Sequence, residues 1–391
     1  MRIQLWSYNY DPEPLGIGPV STVWAKAMVA RGHEVEVVAA HPHYPAPRWG
    51  TKVLPYREVR DGIPVTRLPL VIGRDSRGRR LLQELSFLAA QTLAVPFLGR
   101  PDAIVSVSPS FPALLPGMLA ARSRGIPWYL WLQDILPDGA ATTGYVDEQG
   151  TIYRLSSRLE AAAYRSAAGI FVLSESFREN LLGKGVPDSK IVVAYNPATL
   201  EVRPRYLEDV PPAGPRILCM GNVGRSQGLA AIVEDFEANR ELASMGARLV
   251  ITGTGVAWDE VRSAVRTDRV EMPGLLSVDE LEKEIAGASL AAVTQAYDDG
   301  EFNVPSKLMN YLAAGLPVIA SVRDGSEAAR IVRTSDSGWV APPGRFGAVA
   351  AAALSDTDTL RAKSRSGFEF AESNLTANAL SLRFDRLLNP G

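Results

Sequence analysis

At 391 residues the chain is too long for one ordinary hydrophobic core, and length alone points to two domains. A composition of 46% hydrophobic and 21% charged residues with a net charge of −2 is that of a globular chain, and it excludes a nucleic-acid partner recruited by overall charge. The single cysteine, Cys219, excludes an internal disulfide framework and a multi-cysteine zinc site, and it suits a reducing cytoplasm.

The first residues, Met1-Arg2-Ile3-Gln4-Leu5-Trp6-Ser7, carry no apolar run long enough for a secretory leader. No stretch of about 18 uninterrupted apolar residues follows, so a cytoplasmic chain is expected, with any membrane contact peripheral at the inner face of the cell membrane. Short apolar runs alternate with longer helical patterns, the pattern of parallel α/β sheets. Strands are predicted at 2–7, 34–40, 103–107, 128–132 and 169–173. A helix over 21–31 places Val23, Trp24, Ala27 and Met28 at helical spacing.

A first domain over 1–197 ends at Tyr195-Asn196-Pro197. Residues 198–214 read as a polar linker with Pro204, Pro211 and Pro212. A second domain over 215–372 then repeats the pattern, with strands at 216–220, 248–252, 270–272, 290–293, 317–320 and 338–340. The end of the chain, 373–391, carries a helix over about 376–388 that is expected to return across the linker to the first domain. Two doubly wound, Rossmann-like α/β domains facing across a cleft would hold a ligand at the carboxyl ends of both sheets.

After the first strand, the loop from Tyr10 to Pro19 contains Gly16 and Gly18 and leads into a helix, a place where free backbone N–H groups favour an anion. The loop serves equally as a strand-to-helix turn that needs glycine. It is neither a P-loop, since no Gly-Lys-Ser/Thr follows, nor a full dinucleotide fingerprint. His41 and His43 follow the second strand, but no carboxylate or cysteine partner stands out in the sequence, and no metal site is expected. Residues 74–100 join Arg74, Arg77, Arg79 and Arg80 to an apolar stretch from Leu81 to Leu98. Such a segment is either a domain helix with solvated arginines or a lipid-facing helix whose Arg77, Arg79 and Arg80 meet anionic headgroups or a lipid-linked diphosphate.

The second domain carries the denser chemistry. Gly221-Asn222-Val223-Gly224-Arg225-Ser226-Gln227-Gly228 offers backbone amides beside the Arg225 guanidinium. Turns at Gly253-Thr254-Gly255 and Pro273-Gly274-Leu275 follow the next strands. Glu301-Phe302-Asn303-Val304-Pro305-Ser306-Lys307 is a polar loop entering a helix over about 307–314. Ser306 and Lys307 at that helix start would act together with dipole and amides on phosphate. Lys307 could equally be a solvated surface lysine, but the polar loop and the apolar Leu308, Tyr311, Leu312 and Ala313 behind it favour the mouth of a cleft. Asp298-Asp299 reads as a solvated pair. Glu327 reads as a first-turn carboxylate favoured by its helix dipole, or as a donor neighbour.

Taken together, several of these pieces resemble glycosyltransferase family 4, of the two-domain GT-B fold, and within it the bacterial exopolysaccharide and O-antigen (colanic-acid-type) transferases. The matching pieces are the Gly16–Gly18 loop, Arg31-Gly32-His33-Glu34-Val35, Tyr44-Pro45, Asp61-Gly62-Ile63-Pro64-Val65 and Trp131-Leu132-Gln133-Asp134. Further along they are Gly221 to Gly228, Pro305-Ser306-Lys307 and Ala314-Gly315-Leu316-Pro317-Val318-Ile319-Ala320. The resemblance implies retaining transfer of a hexose or amino-hexose from a nucleotide diphosphate sugar, UDP-linked rather than GDP-linked, to a glycan or lipid-linked acceptor, without metal or cofactor. It implies that Arg225 and Lys307 stabilise the departing diphosphate, that Leu275 lies at the base, and that Gly16, Gly18, Asn222, Gly253 and Ser306 line the donor. Asp134 stands where many relatives carry a histidine, and is expected to activate the acceptor or orient a sugar hydroxyl.

The chain departs from the family pattern in three places. The second glutamate of the donor loop falls on Asn310, a neutral partner for ribose. The first falls on Phe302, so Glu301 or Asn303 is expected to contact the sugar. The usual Arg/Lys pair of the glycine loop falls on Asn222 and Gln227, leaving Arg225 as the cation there. Other assignments compatible with this sequence are a sugar-nucleotide epimerase or hydrolase of the same fold, a non-catalytic sugar-nucleotide-binding relative, and a transferase whose acceptor is a soluble small metabolite or natural product.

Overall fold

The computed structural model describes the chain except residues 15, 44–52, 74–75, 109–110, 135–150, 201–213, 297–303 and 390–391. It divides into two compact units, one of Met1–Pro197 with Ala377–Gly391 and one of Ala198–Thr376. The second unit thus runs past residue 372 to Thr376, because the helix Thr357–Asn374 packs within it.

The first unit is built on β1 (Arg2–Ser7), β2 (Glu34–Ala40), β3 (Tyr56–Arg60), β4 (Ile63–Leu68), β5 (Ala103–Val107), β6 (Trp128–Leu132), β7 (Gly169–Val172) and β8 (Ile191–Val193). They form one sheet in the order β3-β4-β2-β1-β5-β6-β7-β8. Strands β5, β6 and β7 are parallel to their neighbours and buried at every position, as expected when helices cover both faces, and they read as near-continuous apolar runs.

The β3–β4 hairpin was not predicted. Its turn is Asp61-Gly62, both in the left-handed region with φ of 49° and 80°, a two-residue hairpin signal. Edge strand β3 alternates half-buried and exposed residues, so it lacks an apolar run. Strand β4 buries a charge. Arg67 is fully buried, donating Nε to Glu58 Oε1 at 2.8 Å and Nη1 to the Ala40 carbonyl at 3.2 Å, and also reaching the Asp11 carbonyl.

The C-terminal helix Ala377–Leu388 completes the core of this unit. Phe384 stacks on Phe171 with ring centroids 3.6 Å apart and meets Trp131 and Trp24 edge-on at 5.0 and 5.2 Å. Asp385, one residue on, accepts Arg31 Nη2 at 2.6 Å and lies 3.2 Å from His33 Nε2. These partners, Arg31 foremost, hold its carboxyl below the usual carboxylate range. Arg31-Gly32-His33 therefore caps a helix and also clasps the end of the chain.

The second unit contains β9 (Arg216–Met220), β10 (Arg248–Thr252), β11 (Val270–Gly274), β12 (Leu290–Thr294), β13 (Val318–Ser321) and β14 (Gly338–Val340), all parallel, in the order β11-β10-β9-β12-β13-β14. The order reverses between β9 and β12, which opens a crevice at their carboxyl ends. The exit from β10 demands glycine. Gly253 has φ of 115°, donates to the Gly274 carbonyl at 2.7 Å, and a Cβ there would lie 1.8 Å from the Gly221 carbonyl oxygen.

Two substitutions test these cores. Phe384→Ala removes the ring at the centre of an aromatic cluster and is expected to destabilise the first unit by about 3–5 kcal/mol. Gly253→Ala adds the cost of a positive φ, about 1–2 kcal/mol, to a backbone collision. A loss of roughly 3 kcal/mol or more is expected in urea unfolding, and an unchanged midpoint for either variant contradicts the packing described.

Candidate donor site in the second unit

The crevice between β9 and β12 is walled by two segments that leave those strands. After β9 the chain turns through Gly221, passes Asn222 to Gly224, makes a 3-10 turn at Arg225–Gln227 and enters the helix Leu229–Ala238 through Gly228. Val223 is pinned beneath this loop, its N–H on the Thr254 carbonyl and its carbonyl accepting Ala257 N–H, each at 3.0 Å. After β12, Ala296 N–H donates to the Ser226 carbonyl at 2.7 Å, which ties the second segment to the first. That segment then reaches the helix Ser306–Ala313, whose start has no side-chain cap.

Lys307 lies across this crevice. Its Nζ donates to Gln227 Oε1 at 2.7 Å, and its Cε would be 3.9 Å from a Cβ built on Gly221. The partner is a neutral amide oxygen, so the ammonium has further N–H donors for an anion. Gln227 is thus more than a vacated cation position, because it aims Lys307. Arg225 is exposed, and its guanidinium has no ion-pair or hydrogen-bond partner among the described residues. Together with uncapped helix N–H groups, the arrangement is suited to bind and stabilise a multiply charged anion.

The other expected donor residues fall as follows. Asn222 is exposed, its side chain folded against Gly224 and Gly255. Gly253 packs on Gly221 at the base of the crevice. Leu275 is 79% exposed just beyond Gly274, beside the Gly253 turn. Ser306 is exposed at the helix start. Glu301 and Asn303 lie outside the described residues, as do Asp298 and Asp299. Asn310, one turn after Lys307, is buried, and its Oδ1 accepts the backbone N–H groups of Thr199 and Leu200 at 2.9 and 3.1 Å. Only its Nδ2 donor is left for ribose. Glu327 is fully buried in the first turn of the helix Glu327–Thr334, with Arg330 Nε 3.6 Å from its carboxylate.

Gly16, Gly18 and Asp134 belong to the first unit. Gly16 has φ of 67°, and a Cβ on Gly18 would lie 2.7 Å from the Glu13 carbonyl oxygen, so this loop folds tightly before the helix Gly18–Ala30. Glu13 is the buried residue that the sequence hid. Its Oε1 accepts Asn9 Nδ2 at 3.0 Å and His43 N–H at 2.9 Å and lies 3.4 Å from His43 Nδ1. This corrects the expectation that His43 has no carboxylate partner. Thirty positions of sequence separate the two, and the loop after β1 closes that gap.

Asp134 follows β6. Ser108 Oγ holds this turn by accepting the N–H groups of Gln133 and Asp134 at 2.8 and 3.4 Å, and Gln133 pairs its amide reciprocally with Asn196. The Asp134 carboxyl reaches solvent, yet the surrounding protein replaces enough water to raise its pKa above the usual carboxylate value. Arg79 and Arg80 are exposed in the first turns of the helix Arg77–Ala94, and Arg77 is its first residue.

Comparison with known proteins agrees with this architecture. Residues 16–197 match the Glycosyl transferase 4-like domain and residues 214–356 match Glycosyl transferases group 1. The Escherichia coli K12 protein named as colanic acid biosynthesis glycosyl transferase WcaI is 27% identical over 354 residues, covering 85% of this chain and 86% of its own. The sucrose-phosphate synthase of Thermosynechococcus elongatus shares the fold with a TM-score of 0.71 at 17% identity over 99% of this chain and 98% of its own. Anabaena HepE, solved in complex with UDP, does so with a TM-score of 0.65 at 15% identity over 99% of both chains. With matches over both units and these sheet topologies, the chain belongs to the family 4 glycosyltransferases of GT-B fold.

Proposed function

We propose that this chain is a retaining polysaccharide-biosynthesis transferase that moves a hexose or amino-hexose from a UDP-linked donor to a glycan or lipid-linked acceptor. The observation that carries this reading is Lys307, held by neutral Gln227 beside an uncapped helix start at the strand-order switch. In the reaction, the bond from the anomeric carbon to the donor's β-phosphate oxygen breaks. The acceptor hydroxyl forms the new bond on the same face and passes its proton to the departing phosphate oxygen, and the nucleoside diphosphate leaves. Negative charge therefore grows on the diphosphate in the transition state, where Lys307 and Arg225 act most strongly. Asp134, with its raised pKa, is assigned to the acceptor hydroxyl or to a sugar hydroxyl.

A lipid-linked acceptor is supported by the helix Arg77–Ala94. Its buried stripe is Gln83, Phe87 and Gln91, whereas Leu81, Leu82, Leu85 and Leu93 are 57, 51, 48 and 73% exposed. A helix packed only for its own core would place these the other way round. Beside it, Tyr56, Leu68, Val71, Ala90, Leu93 and Phe97 line a groove of about 850 Å³. Exposed Arg79 and Arg80 stand at the helix start. No helix among the described residues is long and apolar enough to cross a membrane, so we propose contact through this face, with apolar side chains in the lipid boundary and arginines at anionic headgroups.

Two experiments test these assignments. Lys307→Ala and Arg225→Ala are each expected to lower turnover of a UDP-sugar by about 10²-fold or more with folding intact. Turnover of both within about twofold of wild type contradicts the electrostatic assignment. In sedimentation with anionic vesicles at low salt, the chain is expected to co-pellet. Replacing Arg77, Arg79 and Arg80 by Gln together should weaken binding by about 10²-fold, at about 1 kcal/mol per arginine. Absence of retention favours a soluble acceptor.

A further inference from the structure

The chain passes from the first unit to the second after Pro197 and returns after Thr376. The outward crossing is fastened within the second unit to the helix that carries Lys307, and the helix that leads to the return packs against it. On the outward crossing, Asn310 Oδ1 accepts Thr199 and Leu200 N–H at 2.9 and 3.1 Å. Ala198 N–H donates to the Leu375 carbonyl at 2.9 Å, which joins the outward crossing to the return. On the return side, Ser364 Oγ of the helix Thr357–Asn374 donates to the Gly315 carbonyl at 2.5 Å, just beyond the Lys307 helix. A Cβ on Gly367 would lie 3.2 Å from Leu312 Cδ2, so the two helices approach closely.

Two backbone N–H groups on one side-chain atom require that atom to be the amide oxygen, which fixes the orientation of Asn310. The Nδ2 group has no acceptor among the described residues. It lies one helical turn from Lys307, on the side of the helix next after the phosphate-binding residue. One side chain therefore has its acceptor committed to the crossing and its donor available to a ligand oxygen.

Resting on the donor reading above, we propose that Asn310 is a positioning residue that couples donor occupancy to the crossing segment 198–200. A ligand that bonds Nδ2 holds the amide in the orientation that keeps Thr199 and Leu200 bound. By linkage, a secure crossing in turn favours the ligand. A carboxylate in this place could accept the same N–H groups, but it would offer the ligand no donor at neutral pH.

The test is amide hydrogen exchange at Thr199 and Leu200 in the full chain, with and without UDP. In wild type, UDP at ten times its Kd is expected to slow exchange there by at least about threefold, within the roughly elevenfold ceiling set by mass action. In Asn310→Ala, exchange at both amides is expected to rise by about tenfold or more, while β13 amides keep wild-type rates as a check on folding. UDP binding should weaken in that variant, and UDP should no longer slow exchange at the crossing. Asn310→Asp, whose carboxylate can accept the same two N–H groups and a ribose hydroxyl, is expected to restore the basal protection, and with a UDP-sugar Asn310→Ala should raise KM more than it lowers kcat. Wild-type protection in Asn310→Ala overturns the anchor. UDP binding that leaves Thr199 and Leu200 unchanged in wild type overturns the coupling. Failure of wild type to bind UDP at all, with the amides still released by Asn310→Ala, defeats the donor reading and the coupling with it, while leaving the anchor.

Discussion

The second unit depends on a close backbone approach. Where β9 and β10 end, Gly253 packs so tightly on the Gly221 carbonyl that no side chain fits between them. That contact sets the height of the Gly221–Gly228 loop and fixes Val223 under it through the Thr254 and Ala257 hydrogen bonds. With the loop held low, Lys307 reaches across the crevice opened by the strand-order reversal to Gln227. Glycine is needed there for steric reasons first. The anion-binding character follows from the backbone N–H groups that such a loop leaves unpaired.

Much of this architecture is legible in the sequence because the inner strands are covered on both faces. A strand such as Trp128–Leu132, buried at every position, can only be written as an uninterrupted apolar run. The same logic explains what was missed. Strand β3 has one wet face and alternates, and β4 carries Arg67, whose burial is tolerable only because Glu58 and two backbone carbonyls receive its guanidinium. Those partners come from other elements, and no local pattern announces them. Glu13 and His43 were unreadable as a pair for the same reason. The Asp61-Gly62 turn, by contrast, was a readable hairpin signal that went unused.

The candidate site divides similarly. Glycines and a lysine at a strand-to-helix junction are visible as residue types at spacings, so the loops could be named. What they touch could not. Gln227 looked like a lost cation until its oxygen proved to be the partner of Lys307, eighty positions away. Asn310 looked like a lost carboxylate until Thr199 and Leu200 were seen to use its oxygen. In both cases a neutral amide stands where the family resemblance implies a charge, and the structure gives each amide a hydrogen-bond partner.

These two replacements have a common electrostatic consequence. A carboxylate at position 310 would lie about 6 Å from the base of Lys307, one turn along the same helix. An opposite charge there would divert part of the lysine's field from a bound anion. A second cation at 227 would repel Lys307 and push it out of the crevice. With amides at both positions, Lys307 is oriented by a hydrogen bond to Gln227 and has no ion-pair partner among the described residues. The helix start has no side-chain cap, so among the described residues no side-chain oxygen competes for its N–H groups either. Fewer ionised residues therefore leave a stronger positive field at the place where charge develops. On the proposed donor reading, a ligand oxygen beside this helix meets the Nδ2 group of Asn310, and that group is part of the residue that holds Thr199 and Leu200.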